Sequence, residues 1–298
     1  MNKFCGTGVA LVTPFDKDHN IDFNGLEKLV NHCITGGDTG KGVEYLVVMG
    51  TTAENATLTS AEKLEVLKHV QKVNNGRKPI VYGIGGNNTR ALVETIKQTD
   101  FSGIDAILSV SPYYNKPTQE GIYQHFKTIS EASPVPIILY NVPGRTSSNM
   151  SAATTLRLAK DFENIIAIKE ASGNLEQVMD IINERPEGFL VISGDDNITL
   201  PMIASGGDGV ISVSGQGFPA VFTQMVRDAL AGDFAKAREG HYKVFEVTKM
   251  LFAEGNPGGI KAALAHKGIC EEYMRQPLWK ISDSLRDAIK TEIDEHNI

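Results

Sequence analysis

The residues best equipped for covalent chemistry in this chain sit at the ends of short apolar runs. Lys169 closes the run Ile165-Ile166-Ala167-Ile168, a composition suited to a parallel strand covered on both faces. Burial favours a neutral amine over an ammonium, so a lysine in such a strand needs a carboxylate partner or a task. The fitting task is nucleophilic, because a neutral amine forms a Schiff base with a ketone. Glu170 is a poor partner, since adjacent strand residues point to opposite faces. Four other run ends carry complementary groups. Thr51 and Thr52, after Gly50, offer hydroxyls that hold a carboxylate or relay a proton, and they suit a simple turn equally well. Tyr113 and Tyr114 offer phenols or packing surface. Tyr140 ends a strand, and Arg145 just beyond it carries a fork suited to a carboxylate or to plain surface exposure. Asp195-Asp196 suits a divalent cation less well than the cap of a helix beginning near Asn197. Amine, phenol, hydroxyls and guanidinium together can capture a 2-oxo acid as an imine and move protons around it.

These groups share one face only if the runs are strands of one barrel. Strands are expected over 8–15, 45–51, 79–85, 106–111, 136–141, 165–171, 189–194 and 209–213. Helical periodicity fills 22–35, 60–73, 88–99, 118–132, 151–159, 174–183, 197–204 and 219–231. Asp22 is placed to cap the first helix, and Thr59 with Glu62 forms a capping-box pattern for the second. Eight βα units predict a (β/α)8 TIM barrel, whose chemistry gathers at the C-terminal ends of its strands. A doubly wound open sheet is the alternative. After Gly232 only helices are expected, over 233–252, 258–267 and 279–295. The chain thus divides into a barrel of residues 1–231 carrying the site and a C-terminal helical appendage of residues 232–298.

Composition narrows the function classes. A net charge of −7 over 298 residues, with no basic run, argues against a nucleic-acid surface. Cys5, Cys33 and Cys270 are few, odd in number and far apart, which fits a reducing compartment. No signal-peptide pattern or membrane-length apolar stretch is present, so a cytoplasmic protein is expected. The histidines fall mostly on helices or tails, without metal-ligand spacing, and no metal is expected. Two glycine-rich segments, Thr39-Gly40-Lys41-Gly42 and Gly83-Ile84-Gly85-Gly86, lack complete phosphate-binding patterns and are expected to be turns.

Five segments, in order along essentially the whole chain, resemble the dihydrodipicolinate synthase (4-hydroxy-tetrahydrodipicolinate synthase) family. They are Gly50-Thr51-Thr52-Ala53-Glu54, Ser111-Pro112-Tyr113-Tyr114-Asn115-Lys116-Pro117, Tyr140-Asn141-Val142-Pro143-Gly144-Arg145-Thr146, Ile168-Lys169-Glu170-Ala171 and Ser193-Gly194-Asp195-Asp196. The resemblance implies a class I lyase that condenses pyruvate with L-aspartate 4-semialdehyde in lysine and diaminopimelate biosynthesis, with no cofactor beyond the substrate imine. It further implies that Lys169 forms the Schiff base, that Tyr140 is the general acid and base, and that Thr51 relays protons. Tyr114 would complete the relay in a neighbouring subunit. Thr52 would hold the pyruvate carboxylate, Arg145 the semialdehyde carboxylate, and Gly194 and Ile211 would line the pyruvate pocket. A shared tyrosine implies at least a dimer, and the family is usually a homotetramer built as a dimer of dimers.

Two departures stand out. Ala53 replaces a frequent glycine. At the family's lysine-inhibition site the chain has Ala91, Ser60 and Lys63 instead of a glutamate and histidines, so weak or absent inhibition by lysine is expected. N-acetylneuraminate lyase and the 2-keto-3-deoxy sugar-acid aldolases are the enzymatic alternatives. They share the lysine and tyrosine but generally lack an arginine matching Arg145. An alternative of another class is a non-catalytic barrel that binds a 2-oxo acid and regulates.

Overall fold

A computed structural model describes residues 2–37, 39–40 and 42–298. Eight parallel strands follow one another round a closed barrel. They are β1 (Gly6–Ala10), β2 (Tyr45–Val48), β3 (Ile80–Gly83), β4 (Ala106–Val110), β5 (Ile137–Asn141), β6 (Ile165–Glu170), β7 (Leu190–Ser193) and β8 (Gly209–Ser212). β8 pairs back onto β1 and closes the ring. Helices follow the strands in turn, as the βα alternation predicts. Asp22 accepts from the amides of Asn24 and Gly25 at the first helix, and Thr59 with Glu62 forms the full capping box at the second.

Side-chain alternation builds two cores. Inward residues such as Tyr45, Val47, Val81, Ile138 and Ile192 fill the barrel. Their outward neighbours, including Leu46, Leu139, Ile168 and Val191, pack beneath the helices. Phe4 and Tyr45 meet edge to face at 5.6 Å near the N-terminal ends of the strands and stopper that end. The opposite end is left for chemistry.

Several boundaries differ from expectation for local reasons. β1 leaves the ladder after Ala10, whereas the apolar run suggests a strand to residue 15; the Val12 amide is taken by the Gln216 side chain instead. The segment 279–281 is not helical, because the last helix starts at Asp283 under a Ser282 cap. Single helical turns at Thr51–Ala53, Pro143–Thr146 and Ser214–Gly217 have no counterpart in the expected elements. Gly83 and Gly85 serve close backbone approach, not a turn: a side chain on Gly83 would meet the Met49 carbonyl at 2.1 Å. Of the other glycine-rich segment, Lys41 lies outside the described residues.

After the barrel come the helices Phe234–Ala253, Gly258–His266 and Asp283–His296. The first packs on the helix Pro219–Leu230, and the break between the first two reaches the mouth of the barrel. Among the described residues no helix is long and apolar enough to cross a membrane.

Candidate active site

Lys169 projects into the barrel from β6, next to Tyr140 of β5, because the two are register partners in adjacent parallel strands. The amine lies 4.3 Å from the centroid of the Tyr140 ring, and both residues are buried. Among the described residues no carboxylate lies within ion-pairing distance of Lys169. Glu170 points the other way, as alternation requires. Its carboxylate accepts from the side-chain amides of Asn141 and Gln177 and from the Ser172 amide. Asn141 and Glu170 are themselves register partners, so a hydrogen-bonded pair on the outer face stands behind the Tyr140–Lys169 pair on the inner face.

Lys169 and Tyr140 face a cleft of 460 Å³, walled also by Thr51, Thr52, Arg145 and Gly194. It adjoins a recess of 380 Å³ that shares Thr51, Tyr140, Arg145 and Asn256. Gly194 is in the cleft because the lysine needs the space. A side chain there would come within 3.0 Å of Lys169 Cε and 2.6 Å of Ala171 Cβ. Ile211 is buried in the barrel interior on β8, and the residue of that strand's exit that lines the cleft is Val213.

The threonines ride on the helical turn Thr51–Ala53, directly after Gly50. Thr52 is buried, and its Oγ1 accepts from Asn256 Nδ2 at 2.9 Å. The Ala53 carbonyl accepts from the Thr13 hydroxyl at 2.7 Å. Glu54, at a left-handed φ of 56°, turns inward and meets Lys261 Nζ at 2.5 Å. Lys261 also donates to the Tyr273 carbonyl, and the Arg275 amide donates to the other Glu54 oxygen. Burial pulls the Lys261 pKa down, and the Glu54 charge opposes that pull.

Arg145 lies on the single turn Pro143–Thr146 after β5, with Pro143 at its first position, and is exposed at the rim of both recesses. Tyr113 lines the second recess. Tyr114 does not line either recess; it is 88% exposed at a left-handed φ of 69°. Asn87 donates to the Tyr113 carbonyl and Asn115 to the Asn87 carbonyl, so the loop presenting Tyr114 is fastened on both sides.

The aspartates divide their labour. Asp195 caps the turn at Asn197, as expected. Asp196 does not cap it: buried among the strand ends, it accepts from the amides of Val213 and Ser214, and burial raises its pKa. Among the described residues no group of three or more His, Cys, Asp and Glu is arranged to hold a metal ion. Sequence reasoning missed Asn256, Lys249 and Phe252, which the C-terminal helices bring to the cleft. Asn256 reads only as part of a helix break. Its one signal is a polar residue wedged between Gly255 and Pro257.

Fold and cleft together define a (β/α)8 enzyme of the Schiff-base lyase class. Comparison makes the assignment specific. A sequence model described as the Dihydrodipicolinate synthetase family matches residues 3–296, and the chain belongs to that family. It is 56% identical over 97% of its length to 97% of the 4-hydroxy-tetrahydrodipicolinate synthase of Flavobacterium psychrophilum. Among solved structures it resembles the Thermotoga maritima dihydrodipicolinate synthase with a TM-score of 0.95 at 36% identity, covering 99% of both chains. It resembles a chloride-inhibited dihydrodipicolinate synthase from Acinetobacter baumannii, solved with pyruvate, with a TM-score of 0.94 at 38% identity, covering 99% of each.

Proposed function

We propose that the chain acts as a 4-hydroxy-tetrahydrodipicolinate synthase, condensing pyruvate with L-aspartate 4-semialdehyde through an imine on Lys169. The observation that carries this is a buried amine with no carboxylate partner among the described residues, in register with a buried tyrosine at one barrel mouth. The amine attacks the ketone carbon of pyruvate. Tyr140 and Thr51, on the walls of both recesses, pass the protons that convert the carbinolamine to imine and water. Loss of a methyl proton gives the enamine, whose carbon adds to the aldehyde of the second substrate. The amino group of that substrate then attacks the imine carbon, closes the ring and releases Lys169. No cofactor is needed, because the protonated imine is itself the electron sink.

Thr52 holds the pyruvate carboxylate, with Gly194 and Val213 shaping the pocket around it and Ile211 packed behind them in the barrel interior. Arg145 meets the semialdehyde carboxylate at the rim, where its exposure lets it reach incoming substrate. Tyr114 completes the proton relay of a neighbouring subunit. Its fastened, outward presentation supports that role, and with it at least a dimer and a homotetrameric dimer of dimers. Residues 1–231 supply the catalytic barrel and residues 232–298 its helical roof. Three unpaired cysteines support a cytoplasmic setting. At the inhibitor position Ala91 offers no carboxylate, and the half-buried Lys63 adds like charge, so inhibition by lysine is weak or absent, and sub-millimolar lysine gives no clear fall in rate.

Borohydride reduction with pyruvate, read by mass spectrometry, tests the core of the proposal. The expected result is one adduct, mapped to Lys169, together with turnover of aspartate semialdehyde and none of N-acetylmannosamine. No adduct would remove both the synthase and the sugar-lyase readings. Turnover of N-acetylmannosamine alone would favour the latter.

A further inference from the structure

The Asn256 side chain is placed against its own hydrogen-bonding interest. Its Nδ2 donates to Thr52 Oγ1 at 2.9 Å, while its Oδ1 is buried with no partner among the described residues. Buried amide oxygens are nearly always satisfied, by protein groups or by ordered water, and an exception calls for an explanation. A threonine hydroxyl has one proton to give and two lone pairs to receive with. Once Asn256 has donated to one lone pair, the Thr52 proton is left for another acceptor. Thr52 and Asn256 both line the cleft that holds Lys169 and Arg145. A carboxylate can only accept, so a Thr52 hydroxyl that binds one must donate to it.

We propose that Asn256 is a positioning residue that commits the Thr52 hydroxyl to donate to the substrate carboxylate, and so tunes the site for 2-oxo acids over other ketones. This rests on the reading of Thr52 as the carboxylate holder. The mounting is suited to the task. Asn256 lies just before the helix Gly258–His266, and the same helix carries Lys261, which binds Glu54 two residues beyond Thr52. One C-terminal element therefore grips the threonine turn at two points, and the Asn256 amide keeps a fixed direction relative to the hydroxyl.

The test compares imine trapping by borohydride with sub-saturating pyruvate and with acetone, which has the ketone but no carboxylate. N256A should slow pyruvate trapping about tenfold, the scale of one hydrogen bond to a charged group, and leave acetone trapping within about twofold. T52V should do the same. The double variant N256A/T52V should be no slower than T52V, because without the hydroxyl there is nothing to orient. If N256A does not fold, N256L keeps the branched side-chain shape, can neither donate nor accept, adds no charge, and carries the same expectation. Equal slowing with both ketones would reduce Asn256 to a structural part and overturn the proposal. So would effects of N256A and T52V that multiply, or unchanged pyruvate trapping in N256A alone. Unchanged pyruvate trapping in T52V is a separate result: it removes Thr52 as carboxylate holder, and the inference falls with it.

Discussion

Two lysines among the described residues are buried, and they are buried for opposite reasons. Lys261 is fully enclosed, and its ammonium is consumed by Glu54, the Tyr273 carbonyl and the face of Phe15 at 4.4 Å. Lys169 is 6% exposed and also lies over an aromatic ring, but faces a cleft and has no carboxylate within ion-pairing distance among the described residues. Burial and the aromatic neighbour are common to both, so neither marks function. The missing counter-charge does. A buried cation with a carboxylate is part of the scaffold, and one without is available for chemistry.

The comparison breaks or sharpens under substitution. K169M should lower kcat by about 10⁴-fold or more, as loss of a covalent nucleophile does. Its denaturant midpoint should stay level or rise, because no buried partner is orphaned. A K169M protein as destabilised as a Lys261 variant would show that the two lysines do the same job. K261M should cost about 3–5 kcal/mol of stability in urea unfolding by stranding Glu54. E54Q/K261M should recover much of that loss. An undiminished K261M would mean the pair is not the clamp described.

His125 extends the same logic to a weaker case. Its Nδ1 pairs with the Thr89 hydroxyl at 2.8 Å, its Nε2 is buried with no partner among the described residues, and burial lowers its pKa to about 4. The unfolded chain therefore binds protons more readily than the native one between the ordinary histidine value of 6.5 and about 4. Stability is intact above that window and falls as pH drops through it, by an amount on the order of 3 kcal/mol. H125Q should flatten this part of a stability-against-pH curve. An unchanged slope would assign the acid lability to other groups.

The barrel was legible because each strand is a short apolar run bounded by caps and turns. The inner face of the site was legible for the same reason: Lys169, Tyr140, Thr51 and Arg145 all lie at or just past strand ends. What escaped notice depends on contacts no local pattern encodes. Lys261 looks like any helical lysine until Glu54, 207 residues away, is seen beside it. Asn256 reaches Thr52 across 204 residues. Asp196 resembles a helix cap, yet takes its amides from the exit of β8. Turns of three or four residues, such as Thr51–Ala53 and Pro143–Thr146, are too short to establish a period. Their existence is set by the strands they leave.

The grip on the threonine turn also has an order in time. During synthesis Thr51 and Thr52 emerge before Asn256, Lys261 and Arg275, and all eight strands are complete by residue 212. Every strand of the barrel is therefore made before the residues that set its mouth. A chain interrupted before Asn256 would carry Lys169 without the residues that set the turn opposite it.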